Sequence, residues 1–232
     1  MEKNEFRKLF ASEIECRVAT VKQPKVDGDK LSGGGCSILL YKDARVDMRL
    51  LDERFGMMGW KREHQTIDGR LYCTISVFDE KSGQWISKQD VGVESYTEKE
   101  KGQASDSFKR AGFNWGIGRE LYTAPFIWIV PSEKEWRRGS QGYQPSVNLH
   151  VASIEYDGDS ISYLELEDSN GVNRYRWGVP AILEKAVAEV TEADTVDKIT
   201  VIYRKYEKEL RNEKSFISAC TKRKEELTKK AA

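Results

Sequence analysis

Three strand-like segments joined by short turns, with an amphipathic helix directly after them, constrain the fold of this chain most strongly. Residues 60–66 and 71–78 flank Asp68-Gly69, a pair typical of a two-residue β-hairpin turn. Apolar and polar residues alternate in the second segment, as in a strand with one buried face. A Lys81-Ser82-Gly83 turn leads to the third segment, residues 85–91. Because such short connections join antiparallel strands, the pattern predicts a three-stranded β-meander.

The sequence after the meander predicts a long helix packed across one face of the sheet. Thr97 and Glu100 have the spacing of a capping box, which marks the start of a helix. At 3.6 residues per turn, four apolar residues then fall in one stripe that would contact the sheet. They are Ala104, Phe108, Ala111 and Trp115. These elements predict an α+β fold with a β-β-β-α core.

Other local signals extend this fold on both sides of its core. Asp43 is a candidate N-cap for a helix that ends at Gly56. Further along the chain, Asp157-Gly158 predicts an extra β-hairpin, and a last strand is expected to end near Trp177. From Pro180 onwards the apolar spacing becomes helical.

We divide the chain into three segments on this basis. Residues 1–32 are predicted to form an N-terminal helix or arm, from the spacing of apolar residues between Phe6 and Ile14. Residues 33–180 form the core domain, and residues 181–232 form a helical C-terminal region. The acidic stretch from Glu189 to Asp197 is predicted to be a linker.

The overall charge does not by itself indicate a nucleic-acid-binding protein. Lys and Arg total 38, and Asp and Glu also total 38, whereas nucleic-acid-binding proteins are usually basic. From Lys198 to the C-terminus, however, 11 basic residues face 5 acidic ones. A nucleic-acid groove elsewhere in the chain therefore requires a local concentration of cations.

The cysteines and the distribution of apolar residues bear on the cellular compartment of the protein. The four cysteines contain no C-x-x-C pair, and with only two histidines they do not match a zinc site. Scattered free cysteines fit a reducing cytoplasm. We find no pattern of a signal peptide or of a membrane-spanning segment. A soluble cytoplasmic protein is therefore expected.

A second stripe of the long helix is suited to holding a phosphate chain. Lys101, Ser105 and Lys109 are spaced at i, i+4 and i+8. Arg110 lies about a quarter turn further round. Cations and hydroxyl groups are common ligands of phosphate oxygens, so the stripe predicts a nucleic acid as its ligand. The alternative is a solvated charged face, which is common on amphipathic helices.

Three blocks follow one another in the region of this core. The first combines Ala44-Arg45-Val46 with Phe55-Gly56-Met57-Met58-Gly59-Trp60. The second is Asp90-Val91-Gly92-Val93, and the third contains Ser105-Asp106 and Phe108-Lys109-Arg110-Ala111. Together they resemble the Rad-fifty-two superfamily of single-strand annealing proteins. The stretch from Trp115 to Tyr122 is similar to the phage and prophage members, and the resemblance covers about residues 33–122.

The resemblance implies both a function and a set of binding residues. Members of this superfamily assemble into rings or helical arrays, hold single-stranded DNA in a basic groove and pair complementary strands without nucleotide hydrolysis. The implied DNA-binding residues are Arg45, Lys101, Ser105, Lys109 and Arg110. A tyrosine of the eukaryotic members is replaced by Met57, so no DNA contact is carried over there. The implied ligands are single-stranded DNA and the annealed duplex intermediate, bound by a homo-oligomer.

Annealing needs no catalytic residue, metal or other cofactor, but two other functions stay open. The sequence has no G-x-x-x-x-G-K-[ST] phosphate loop, which argues against an ATP-driven motor. A metal-dependent nuclease would need carboxylates such as Asp79 or Glu165 as ligands. A scaffold without annealing activity would protect DNA ends or recruit host factors. The basic C-terminal helices suit docking of a partner such as the host single-strand binding protein.

Overall fold

The computed structural model describes residues 5–28, 30–93, 99–140, 142–211 and 213–231, without the side chains of residues 99–101, 230 and 231. It confirms the α+β class, with antiparallel sheets and five α-helices in these residues. The chain forms two compact units, Met1–Trp177 and Gly178–Ala232. Within the described ranges, no helix is long and apolar enough to cross a membrane.

The described residues form thirteen β-strands and five α-helices. The strands are β1 (Glu15–Lys22), β2 (Lys25–Asp27), β3 (Lys30–Ser32), β4 (Gly35–Tyr41), β5 (Trp60–Ile67), β6 (Arg70–Asp79), β7 (Gln84–Val91), β8 (Ile127–Ile129), β9 (Trp136–Gly139), β10 (Gly142–Pro145), β11 (Leu149–Asp157), β12 (Ser160–Asp168) and β13 (Asn173–Gly178). The helices are α1 (Ala44–Phe55), α2 (Lys99–Trp115), α3 (Ala181–Glu192), α4 (Val196–Leu210) and α5 (Lys214–Ala231).

The predicted meander is the three-stranded sheet β5-β6-β7, with α2 across it. At its first turn the φ angles of Asp68 and Gly69 are 50° and 75°, the positive values that a type I′ hairpin requires. Phe108 and Ala111 of α2 are fully buried in the same core as Ile75 of β6. The predicted apolar stripe therefore faces the sheet. The capping box of Thr97 and Glu100 lies outside the described residues and side chains.

Helix α1 lies against α2 and begins and ends as the sequence predicts. The carboxylate of Asp43 accepts a hydrogen bond from the Arg45 backbone N–H, and Gly56 closes the helix with a φ of 72°. A side chain at position 112 of α2 would place its Cβ 2.6 Å from the Asp47 carboxylate of α1. Gly112 therefore lets the two helices approach each other closely.

A six-stranded sheet forms the rest of the first unit, in the order β13-β12-β11-β1-β4-β8. The predicted hairpin around Asp157-Gly158 is the β11–β12 pair. The apolar segment after Tyr122 supplies the edge strand β8, which pairs with β4. Leu40 of β4 and Leu164 of β12 belong to the core that also includes α1. This sheet and the meander thus share one hydrophobic core.

The N-terminal segment is not the predicted helix. A short 3-10 helix, Ala11–Glu13, is followed by β1, which pairs with β4 and contacts β11 at Glu15 and His150. Residues 15–22 alternate in exposure along β1 and include the β-branched Val18, Thr20 and Val21, which favour a strand. The first segment therefore contributes a central strand of the sheet.

The second unit consists of three helices around a separate core. The predicted linker from Glu189 to Asp197 is wrong, because α3 continues to Glu192 and only residues 193–195 precede α4. Glu192 and Asp197 are exposed on α3 and α4, and Asp194 lies in the connection between these helices. Val190 and Ala193, in contrast, are buried. The buried residues of this core are Leu183, Ala186, Val190, Ala193, Ile199, Tyr206, Leu210, Phe216 and Cys220.

Candidate nucleic-acid interface

A groove of about 880 Å³ runs between helix α2 and the six-stranded sheet of the first unit. We call it the α2 groove. Strands β1 and β4 and part of the connection between α2 and β8 also line it. The helix contributes residues at i, i+3, i+4, i+7 and i+8, which is one continuous stripe. These residues are Asp106, Lys109, Arg110, Phe113 and Asn114.

Lys109 is the predicted site residue best placed to bind an anion. Its side chain lines the α2 groove and forms no hydrogen bond or ion pair with any described residue. A phosphate bound here would therefore not have to displace a carboxylate. Because its ammonium group has no ion-pair partner among the described residues, Lys109 is the strongest candidate phosphate ligand of this groove.

Arg110 lines the same groove but already has a partner. Its Nε donates a hydrogen bond of 3.3 Å to Oδ1 of Asp90 at the end of the meander. Asp90 also accepts hydrogen bonds from the Asn114 side chain, at 3.2 Å, and from the Val91 backbone. A phosphate at Arg110 must compete with this carboxylate, so Arg110 contributes less net positive charge than Lys109.

Arg45 lies at the start of α1 and does not line the α2 groove. Its side chain is 83% exposed, and its Nε donates to Asp43 Oδ1 at 2.8 Å. The pKa of Asp43 is lowered mainly by this hydrogen bond and to a smaller extent by the charge of Lys109. Asp43 therefore lies in the electrostatic field of both cations, and Arg45, like Arg110, is already paired with a carboxylate.

Ser105, another of the predicted site residues, is not brought to the groove. Ser105 lies one turn before Lys109, is half-buried and is not part of the groove lining. Lys101 belongs to α2, but its side chain lies outside the described part of the chain. The stripe that faces the groove is centred near Lys109 and Phe113 rather than along Ser105.

Arg17 is a groove cation that the sequence analysis missed. It projects from β1 into the α2 groove, with its guanidinium 5.6 Å from the centre of the Tyr41 ring. It is exposed and forms no ion pair with a described residue. Alternation of Arg17 with Cys16 and Val18 is the signal that could have identified it as a residue on a strand face.

A buried ion pair supports the floor of the groove. Nζ of Lys42 lies 2.5 and 2.6 Å from the two carboxylate oxygens of Asp47, whose side chain is fully buried. Burial raises the pKa of Asp47 to about 6, although Lys42 opposes this shift. Burial also lowers the pKa of Lys42. A side chain at Gly118 would overlap Lys42, so this glycine leaves room for the lysine.

The carboxylates considered for a nuclease have structural partners. Asp79 accepts hydrogen bonds from Ser82 within the second meander turn, including one of 2.6 Å from the hydroxyl. Glu165 accepts hydrogen bonds from Arg176, Asn173 and Tyr163 on the sheet. Among the residues that the structure describes, no group of three or more His, Cys, Asp or Glu residues could hold a metal ion.

No protein-family model matches the sequence, and a comparison with curated proteins finds no match.

Proposed function

We propose that this protein binds single-stranded DNA in the α2 groove and anneals complementary strands without nucleotide hydrolysis. The observation that carries the proposal is the side chain of Lys109, which has no ion-pair partner among the described residues, in a groove that also contains Arg110 and Arg17. The sequence blocks that resemble single-strand annealing proteins support the same function. This function requires no cofactor and no catalytic residue.

Phosphate contacts suit this activity because they do not depend on base sequence. Cations that neutralise phosphates release counterions and hold the backbone in place. The base edges can then stay free to test a complementary strand. Duplex forms when enough bases match, so the annealed intermediate is the second expected ligand.

The charge pattern of the groove favours binding by several copies of the chain. Arg110 is paired with Asp90, and Lys42 is paired with Asp47. One subunit therefore offers few free cations, and its phosphate contacts alone would be weak. Several subunits on one strand would bind much more tightly, because each further contact is intramolecular. We accordingly propose a homo-oligomer, as a ring or a filament.

The biological setting that fits this activity is homologous recombination and double-strand break repair by a bacteriophage or prophage protein. Single-stranded DNA in that setting lies in the cytoplasm of the bacterial host. The second unit has its own core and a basic C-terminal part. It would suit docking of a host single-strand binding protein. This separate unit also favours the second candidate function, a scaffold that binds DNA and recruits partners without annealing.

The direct test measures annealing of two complementary labelled oligonucleotides without nucleotide. We expect the wild-type protein to accelerate annealing and Lys109→Ala/Arg110→Ala to lose most of the acceleration. Lys185→Ala/Arg204→Ala removes the same two charges from exposed positions of the second unit and is the matched control. Binding of single strands without any acceleration would contradict annealing and favour the scaffold. Absence of binding by a folded wild-type protein would contradict both functions.

A further inference from the structure

Two aromatic side chains that line the α2 groove are unusually exposed. Tyr122 is 82% exposed and Phe126 is 75% exposed, and both line the α2 groove. They belong to the short connection between α2 and β8, which includes a 3-10 helix, Arg119–Thr123. Large aromatic side chains are mostly buried in folded proteins, so two of them along one groove indicate a binding surface.

Both rings are held in place by other aromatic rings. The ring of Tyr122 lies 4.9 Å from that of Phe113, which in turn packs under the Arg119 guanidinium. The ring of Phe126 is stacked on Trp128, with 6.1 Å between centres and 19° between planes. The orientations are therefore fixed before a ligand binds, which lowers the entropic cost of stacking.

Neighbouring contacts also fix the backbone around Phe126. The Tyr175 hydroxyl donates a 3.1 Å hydrogen bond to the Phe126 carbonyl oxygen. The absence of a side chain at Gly35 leaves room for the Trp128 ring on which Phe126 is stacked. The backbone at Phe126 is thus held against the sheet edge and is not part of a free loop.

The groove therefore combines cations with exposed aromatic rings. Lys109 and Arg110 belong to α2, and Tyr122 and Phe126 belong to the connection that follows it. A single-stranded polynucleotide combines a chain of negative charges with flat, apolar base faces, which matches both kinds of side chain. Proteins that bind single strands without sequence preference use this combination of a basic groove and aromatic stacking platforms.

We propose that Tyr122 and Phe126 stack on bases of the strand whose phosphates are held by Lys109 and Arg110, an inference that rests on the proposed function. Stacking covers the face of a base but leaves its hydrogen-bonding edge free for a complement. Duplex DNA hides its base faces between neighbouring pairs, so these two residues discriminate in favour of unpaired strands.

The test compares binding of an oligothymidylate with binding of an abasic strand of the same length. The abasic strand keeps the phosphates and lacks the bases. We expect the wild-type protein to bind it at least about fivefold more weakly, with an unchanged salt dependence. Tyr122→Ala and Phe126→Ala should each weaken binding of oligothymidylate by about fivefold or more and leave binding of the abasic strand unchanged.

Two controls keep the result specific. Tyr122→Phe retains the ring and should bind like the wild type. Phe10→Ala removes an aromatic ring that is 60% exposed outside the groove and should have no effect on either strand. The solution mass of each variant is measured in parallel, because a ring that contacts a second subunit would alter it.

The outcomes distinguish a failure of the stacking proposal from a failure of the proposed function. Equal binding of both strands by the wild type, with a normal salt dependence, would overturn the stacking proposal and leave the phosphate groove intact. Loss of affinity for both strands alike in Tyr122→Ala, or a change in its solution mass, would also overturn it. Binding of neither strand would overturn the proposed function together with the stacking.

Discussion

Replacement of Asp47 by Asn is a sensitive test of how the floor of the α2 groove is stabilised. The two side chains have nearly the same shape, so the helix contact at Gly112 is kept. The substitution removes the charge that forms an ion pair with Lys42, whose side chain is 9% exposed. The variant therefore isolates the effect of an unpaired buried lysine.

The expected loss of stability is about 3 to 5 kcal/mol, the usual range for breaking a buried ion pair. An independent limit comes from the lysine itself. Deprotonating a lysine costs about 1.4 kcal/mol for each unit by which the pH lies below its normal pKa near 10.4, which amounts to about 4.6 kcal/mol at pH 7. The Asp47→Asn variant cannot lose much more than this, because the lysine would then become neutral.

The sign of the pH dependence follows from the same argument. In Asp47→Asn the pKa of Lys42 falls further below its unfolded value, so the folded state binds fewer protons than the unfolded state. Stability then rises with pH up to the unfolded lysine pKa. The difference in free energy of unfolding between the wild type and Asp47→Asn should therefore become smaller between pH 7 and pH 10.

Urea unfolding followed by tryptophan fluorescence measures this effect in the first unit. All six tryptophans precede residue 178. Lys42→Met/Asp47→Asn removes the unpaired charge and should recover at least half of the lost free energy of unfolding. A loss below about 1 kcal/mol in Asp47→Asn, or no recovery in the double variant, would refute the assignment of a dry, charged pair.

Three further predictions concern charge. Asp90→Asn frees Arg110 from its partner and removes a negative charge from the groove, so single-strand binding at low salt should tighten several-fold; weaker binding in a folded variant would contradict the role of Arg110. Arg17→Ala should reduce the log-log salt dependence of binding by about 0.7, the value of one lost phosphate contact on a single strand, and an unchanged slope would remove Arg17 from the interface. The hydrogen bond from Arg174 lowers the pKa of Glu135 to about 2. The stability that this pair contributes is present above the normal glutamate pKa and is lost as pH falls towards 2. In acid unfolding, the difference in free energy of unfolding between wild type and Arg174→Gln should therefore shrink over that range. A constant difference would contradict the assignment.

The parts of the fold that the sequence predicts correctly depend on contacts between neighbouring residues. Asp68-Gly69 defines its own turn, Asp43 caps the helix that follows it, and the spacing of Phe108 and Ala111 defines the buried face of α2. These signals are local, because turn and cap geometry involve only a few consecutive residues.

The errors arise where a partner is distant in the sequence. Strand β1 contacts β11, where Glu15 lies opposite His150, and nothing in residues 5–22 alone indicates that pairing. The helical spacing of Phe6, Leu9 and Phe10 suggested a helix. Arg17 was missed because its place in the groove depends on the pairing of β1 with distant strands.

The candidate site shows the same division between local and distant information. Its cations Lys109 and Arg110 are neighbours in the sequence and were predicted together. The pairing of Arg110 with Asp90 depends on the packing of α2 beside the end of β7. The exposure of Tyr122 and Phe126 depends on how the chain leaves the helix to reach the sheet edge, which no local pattern specifies.

The salt dependence of single-strand binding tests the central claim most directly. Affinity of wild type and Lys109→Ala/Arg110→Ala for one oligothymidylate is measured between 50 and 200 mM salt. If both residues contact phosphates, the log-log slope should fall by about 1.4, so that the wild-type advantage decreases about sevenfold over this range. Parallel lines for the two proteins, with folding of the variant verified, would contradict the assignment of the α2 groove as the phosphate-binding site.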